Sequence, residues 1–535
     1  MYDGTVQGKE GLYSPSSAVF LGIPYAEPPV GDLRFAPPQT VRPWEGVRDA
    51  VEYPNACWQH DGHVPMSEDC LFLNVFTPRL PRSASDELLP VLVFIHGGSF
   101  DQGDGLSEAA SKLLPIYDGQ AMAHLGNVVV VTINYRLTTL GFLALDALRE
   151  EHGTSGNYGL QDQREALRWV QRNIRAFGGN PNSVTIFGES AGAMSVMSHV
   201  ASPRSRGLFH GAIMESGDEM ARTWEQATEE GALVLQSLGC DGDAAAIRTC
   251  LRSKTPKELL NAHATHIPVP HDASITLKYG TTLDDYEFSV LPRTLFANGT
   301  VNPVPMIVGT NHDEAALFVC GKIPADTTPA QYRDRIVDMF GEENADRLMA
   351  LYPLGDYKLV RDAIIAIGTD LYFTCPSRHI SRGVHQAQEA AGLTPRVFRY
   401  MLDHAPNLLV LSAPMWGGWP GSYCLRVAHA LDLVFVFHNL QFLLFPAEQR
   451  LSDRMTAFWT NFARYGNPNG AGEGAWPKYD KETEQTMLLD LELSSATNLR
   501  GDKCDVIDQI QDEAVRLGKR LPDVHHFARL FRAEE

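Results

Sequence analysis

Gly188-Glu189-Ser190-Ala191-Gly192 constrains what this chain can fold into more than any other stretch. It is a G-x-S-x-G sequence, the pattern of a serine held on a sharp strand-to-helix turn. In a chain with 45 glycines the pentapeptide alone carries little weight. Its flanks supply the rest. Ser183-Val184-Thr185-Ile186-Phe187 is short, β-branched and aromatic, and reads as a strand. Ala191 to Val200 follows, with Ala193, Met194, Met197 and Val200 at helical spacing. Such a turn leaves little room for side chains, so glycines flank the serine. It lifts the hydroxyl clear of the backbone and sets it near a helix N-terminus, where partial positive charge favours a developing anion.

The same alternation recurs along the chain. Leu89 to His96 (LPVLVFIH) and Val128 to Tyr135 (VVVVTINY) are apolar runs of buried-strand type. Gln161 to Ala176 is an amphipathic helix with Leu167, Val170 and Ile174 on one stripe. Phe209 to Glu215 and Val304 to Gly309 read as further strands. Strands alternating with helices indicate an α/β fold, a central mostly parallel sheet flanked by helices. The long Pro- and Gly-bearing stretches between them read as large loop insertions on one core. A single domain over residues 1–535 is therefore expected.

Composition excludes several classes. Hydrophobic residues make up 44% and charged residues 21%, ordinary for a globular protein with a large core. A net charge of −20 argues against nucleic acid, whose binding needs a basic surface. No stretch is long and apolar enough to suggest a membrane span. The best candidate, Leu433 to Phe445, is interrupted by His438, Asn439 and Gln441 and is expected to be a buried helix. The eight cysteines are Cys57, Cys70, Cys240, Cys250, Cys320, Cys375, Cys424 and Cys504. None forms a C-x-x-C pair, so a zinc site is not expected. Cys57 with Cys70, and Cys240 with Cys250, would close short loops, and disulfides would imply an oxidising compartment. Asn298-Gly299-Thr300 is a glycosylation sequon. No signal peptide opens the chain and its first residues read as a strand. A protein that is secreted or lies in another oxidising compartment, its leader removed and replaced by Met1, is the expectation.

A serine hydroxyl is a poor nucleophile at neutral pH. It needs a base, an acid that orients the base, and donors for the oxyanion. His96-Gly97-Gly98-Ser99-Phe100 ends the Leu89 strand and offers a loop of the HGG type. The backbone N–H groups of Gly98 and Ser99, with that of Ala191 just after the serine, are the candidate oxyanion hole. With 18 histidines in the chain, composition cannot choose the base.

Four longer motifs resolve this. Phe20 to Gln39 (FLGIPYAEPPVGDLRFAPPQ), Ser67 to Val75 (SEDCLFLNV), Gly156 to Arg164 (GNYGLQDQR) and Phe177 to Gly192 (FGGNPNSVTIFGESAG) together resemble the carboxylesterase/cholinesterase family, the type-B carboxylesterases. The resemblance runs from about Gly4 to beyond Cys504. It implies the α/β-hydrolase fold with an active-site gorge, ester hydrolysis and no cofactor. Ser190 matches the family's nucleophile. Asn311-His312-Asp313-Glu314-Ala315 matches the acid motif N-x-D-E-G except for its last residue, which makes Glu314 the acid and Asp313 the fallback. Ala428-His429-Ala430-Leu431-Asp432-Leu433 loosely resembles the base motif C-H-G-x-E-L and makes His429 the base, with His438 as competitor. Ser216 matches a buried serine that supports the histidine, with Asp432 assisting. Glu189 matches the acidic residue before the nucleophile, where a carboxylate favours imidazolium and cationic substrates or else holds internal water. Arg34 with Glu68, and Arg136 with Asp162, resemble the family's structural salt bridges.

The family's pairing implies disulfides Cys57–Cys70, Cys240–Cys250 and Cys375–Cys504. Cys320 and Cys424 then pair with each other, tying the acid and base loops together, or stay free. The substrate is read as a small-molecule ester. A cholinesterase carries its cation-binding aromatic residue in the loop closed by the first disulfide. Here only twelve residues separate Cys57 and Cys70, and Trp58 is next to Cys57. That favours a general carboxylesterase acting on broad or bulky esters over a lipase or sterol esterase, and over a cholinesterase. A non-catalytic cholinesterase-like binding protein is disfavoured because the nucleophile, acid, base and hole are all kept. Trp416 and Trp419, in the Trp416 to Gly421 loop, are candidates with Trp58 for substrate contact; equally, they could anchor a surface loop.

Overall fold

Valine and isoleucine runs have two faces to bury, and one sheet buries both. The computed structural model describes residues 1–60, 65–106, 115–219, 221–266, 279–320, 323–407, 426–472 and 474–516. Among them, eleven strands form one mixed sheet. They are β1 (Lys9–Glu10), β2 (Ala18–Pro24), β3 (Phe72–Thr77), β4 (Leu89–Ile95), β5 (Val129–Ile133), β6 (Gly179–Glu189), β7 (Gly211–Glu215), β8 (Met306–Asn311), β9 (Val397–Leu402), β10 (Thr486–Leu489) and β11 (Ser494–Ala496). Their order in space is β1-β2-β3-β5-β4-β6-β7-β8-β9-β10-β11. From β5 to β10 every pairing is parallel, and the antiparallel pairings lie at the two edges.

Successive side chains on a strand point to opposite faces. Leu92, Phe94, Val130, Phe187, Ile213 and Ile307 enter one apolar core. Val91, Val93, Val131, Ile186, Ala212 and Val308 enter another on the opposite face. The helices that cover these faces or border the site are α1 (Tyr158–Asn173), α2 (Ala191–Ala201), α3 (Val360–Thr369), α4 (Cys375–Ala390), α5 (Asp432–Val436), α6 (Pro446–Tyr465) and α7 (Gly501–Arg516). Trp169 and Val170 of α1 and Val196 and Met197 of α2 pack into the second core. Leu451, Met455, Trp459 and Phe462 of α6 pack into the first.

One sequence expectation fails here. Leu433 to Phe445 is not a single buried helix. Helix α5 stops at Val436, and a 3-10 turn follows at Gln441–Leu443. His438 adopts φ +62°, which no continuing helix allows. The Asn439 amide donates to the carbonyls of Ile116 and Asp118 at 2.8 and 2.6 Å, so this polar interruption anchors a neighbouring loop. Phe442 and Phe445 end up exposed.

In a parallel sheet the loops at the carboxyl ends of the strands gather on one edge. Here β4 runs into His96-Gly97-Gly98-Ser99, β6 into Ser190, β7 into Ser216 and β8 into the loop carrying Glu314.

Candidate active site

Ser190 is the N-cap of α2, with φ +58° and ψ −124°. Its N–H donates to the Glu215 carbonyl on β7 at 3.0 Å, which pins the turn. A positive φ in a non-glycine residue costs about 1 kcal/mol or more and persists only where surroundings enforce it. The flanking glycines enable the close approach. A Cβ on Gly188 would lie 2.7 Å from the Ile95 carbonyl oxygen, and one on Gly192 would collide with that same oxygen. The Ile95 carbonyl at the end of β4 thus meets the backbone on either side of the serine, at Gly188 of β6 before it and Gly192 of α2 after it.

The end of β4 brings the glycine loop to this point. Gly98, Ser99 and Phe100 take successive positive φ values of 94°, 58° and 57°. No described residue accepts a hydrogen bond from the N–H of Gly98, Ser99 or Ala191. His96 is held rigidly at the base of the loop. Its Nδ1 faces the Gly97 carbonyl at 2.8 Å and its ring stacks on Tyr135 at 4.3 Å. Burial lowers its pKa to about 4, against the raising influence of that carbonyl, so it is neutral at pH 7.

The acid and base expected from the sequence are brought together. His429 Nδ1 lies 2.6 Å from Glu314 Oε2, and both residues are buried. The other Glu314 oxygen accepts from the Asn311 N–H at 2.6 Å. His429 Nε2 lies 3.0 Å from Glu189 Oε1, so the imidazole sits between two carboxylates, one of them adjacent to Ser190 in sequence. Phe318 and Phe373 pack against the same ring, with centroids at 5.0 and 4.9 Å.

Known proteins resemble the chain over most of its length. Residues 1–507 match the family described as the carboxylesterase family. The chain is 37% identical over 505 residues to a pyrethroid hydrolase of Rattus norvegicus, covering 88% of this chain and 82% of the relative. It is 36% identical over 500 residues to the para-nitrobenzyl esterase of Bacillus subtilis (strain 168), covering 90% and 93%. A solved PNB esterase superimposes with a TM-score of 0.77 at 34% identity, covering 94% of this chain and 97% of its own. The chain belongs to the carboxylesterase family. It is an enzyme, with the α/β-hydrolase fold.

The remaining residues singled out in the sequence of this carboxylesterase fall in several places. Asp432 is fully buried and accepts from the Tyr400 hydroxyl at 2.7 Å and the Asn311 side-chain amide at 3.4 Å. Burial, and then the charge of Glu314, push its pKa up to about 6. Glu215 accepts from the Trp459 indole at 2.8 Å. Burial, and then Asp432, hold it well above the usual carboxylate range. Ser216 is buried with φ +57°, its N–H donating to the Gly309 carbonyl, but its hydroxyl reaches no described partner, His429 included. Asp313 turns instead to His312 at 3.2 Å and Arg426 at 4.0 Å. His438 pairs with Asp453 at 2.7 Å, on another contact altogether.

Arg34 meets Glu68 at 2.6 Å and Arg136 meets Asp162 at 2.7 Å. Trp58 is half-buried and lines a cavity with Arg34, Glu68, Arg136 and Leu140, scaffold residues rather than Ser190 or His429. Disulfides join Cys57–Cys70, Cys240–Cys250 and Cys375–Cys504. Cys320 is also disulfide-bonded. Cys424, Trp416 and Trp419 lie outside the described residues.

Sequence reasoning did not pick out Asn311 as a hub, nor Tyr400, Phe318 and Phe373. Asn311 opens the acid motif, and that position was a usable signal: its N–H holds Glu314 while its side-chain amide holds the Ala428 carbonyl at 2.9 Å, beside His429. Phe373 gave no signal, because it lies on a π-helical turn, Asp370–Thr374, that no 3.6-residue pattern anticipates.

Proposed function

We propose that this enzyme hydrolyses carboxylic esters through an acyl-enzyme on Ser190, with His429 as base and Glu314 as acid. The observation that carries the reading is the 2.6 Å contact of His429 Nδ1 with buried Glu314, set beside the elbow at Ser190. Glu314 fixes the tautomer that leaves Nε2 free to take a proton and offsets imidazolium charge. Nε2 leaves Glu189 for the Ser190 hydroxyl, whose oxygen attacks the ester carbonyl. The unused N–H groups of Gly98, Ser99 and Ala191 bind the oxyanion. His429 then protonates the leaving alcohol, and water cleaves the acyl-enzyme by the same route.

The substrates are broad or bulky small-molecule esters, a reading supported by relatives named for pyrethroid and para-nitrobenzyl ester hydrolysis. A secreted protein, or one in another oxidising compartment, is supported by three disulfides. One domain is supported by a sheet whose strands run from Lys9 to Ala496. The test is Ser190→Ala. Turnover of p-nitrophenyl acetate should fall by about 10⁴-fold or more, and an organophosphate ester should label wild type stoichiometrically and the variant not at all. Labelling or turnover that survives the substitution sinks the assignment.

A further inference from the structure

We propose that Phe373 is a positioning residue that holds the His429 imidazole in its working orientation; this rests on the assignment of His429 as base. One edge of the imidazole is held by a carboxylate, Glu314 at Nδ1, while Glu189 comes within 3.0 Å of Nε2. One hydrogen bond at Nδ1 does not by itself fix the tilt of the ring. The phenyl rings supply that restraint. The centroids of Phe318, Phe373 and His429 form a triangle with sides of 4.9, 5.0 and 6.1 Å. The two phenyl rings are nearly parallel, 15° apart, and the imidazole leans on both at 52° and 49°. They stand side by side as an apolar corner rather than sandwiching the ring. Losing one wall lets the imidazole swing.

Phe373 is placed for this by an irregular backbone. Between α3 and α4 the chain takes a π-helical turn, Asp370–Thr374. One extra residue in a turn re-aims the side chains that follow it, and such turns recur at functional sites. This turn is fastened on several sides. Thr369 Oγ1 accepts from the N–H of Ala315, next to Glu314, at 3.2 Å. Asp370, fully buried, accepts from the Tyr352 hydroxyl at 2.7 Å and pairs with Arg500 at 2.5 Å. Arg500 also donates to the His312 carbonyl at 3.2 Å, back on the acid loop. Cys375, directly after the turn, is bonded to Cys504 on α7. The segment that presents Phe373 to the base is thus tied to the loop that presents the acid. Phe373 is half-buried and packs both on the edge of the large core and on the His429 ring.

The test measures Phe373→Ala, the milder Phe373→Val and the bulk-preserving Phe373→Leu, with His429→Ala alongside. Misorienting a catalytic group by an ångström costs on the order of 100-fold. Phe373→Ala should lower kcat on p-nitrophenyl acetate by about 10- to 100-fold with KM within about 2-fold, and Phe373→Leu should recover most of the loss. The downfield proton resonance of the His429–Glu314 hydrogen bond should broaden or vanish in Phe373→Ala and return in Phe373→Leu. Should the alanine variant not fold, Phe373→Val carries the kinetic comparison, with a smaller loss of kcat expected. Wild-type kcat in the truncated variants, a loss confined to KM, or an unchanged proton resonance alongside reduced kcat would each overturn the proposal. If His429→Ala stays active, the base assignment itself has failed, an outcome distinct from these.

Discussion

Asp432 concentrates the electrostatic problem of this site in one residue. Glu189, Glu215, Glu314 and Asp432 are all fully buried, with one imidazole among them. Burial and the charge of Glu314 raise the Asp432 pKa from 3.8 to about 6. A carboxyl with a raised pKa binds its proton more tightly folded than unfolded. Its ionisation therefore costs nothing below the unfolded value and costs in full above the folded one, so stability is lost as pH rises between roughly 4 and 6. The shift corresponds to a penalty of about 3 kcal/mol at neutral pH. Asp432→Asn keeps an oxygen to accept from Tyr400 and cannot ionise. Its melting temperature, compared with wild type from pH 4 to 7.5, should improve steadily relative to wild type up to about pH 6 and then level off. A difference that does not vary with pH would show that Asp432 does not titrate in this window.

At the scale of elements, the elbow is a backbone contact of the end of β4 with β6 before Ser190 and with α2 after it. Gly192→Ala would drive a methyl into the Ile95 carbonyl oxygen, and Ile95 leads directly into His96-Gly97-Gly98-Ser99. Overpacking costs typically 1–3 kcal/mol, and here the strain would also displace the candidate oxyanion donors. Gly355→Ala, where an added Cβ meets nothing within 4 Å, is the control. The first variant should melt lower and lose kcat, and the second should do neither; matching behaviour would mean the contact is not tight. The elements framing the elbow were legible because their pattern is local: β-branched runs for β4 to β8 and an apolar stripe for α1. Their ends were not, and the strand before Ser190 proves longer, starting at Gly179. His429 became legible only through family resemblance, since one of 18 histidines carries no local mark. The π-helical turn and the interrupted segment after Val436 were illegible for a different reason. Each is fixed by distant partners, Arg500 and Cys504 for one and the Ile116 and Asp118 carbonyls for the other.

Across the whole molecule the disulfides differ in what they close. Cys57–Cys70 and Cys240–Cys250 span separations of 13 and 10 residues, whereas Cys375–Cys504 spans 129. In the chain-entropy account a crosslink restricts the unfolded ensemble more as its loop lengthens, giving about 3 kcal/mol for the two short loops and about 5 kcal/mol for the long one. Location sharpens the contrast. Cys240 and Cys250 belong to a small satellite core with Leu251 and Leu259, away from Ser190 and His429. Cys375 and Cys504 lie in the large core on the sheet face that also holds Val427 and Ala428, beside His429. Replacing Cys375 and Cys504 together by alanine should therefore lower the melting temperature more than replacing Cys240 and Cys250. It should also depress kcat, because α7 no longer fastens the turn that carries Phe373. The Cys240 and Cys250 pair should cost stability with little change in kcat. Differential scanning calorimetry and p-nitrophenyl acetate kinetics on the two double variants separate these effects. Equal losses of stability would refute the loop-length argument, and an unchanged kcat in the Cys375 and Cys504 variant would show that the base loop does not depend on this crosslink.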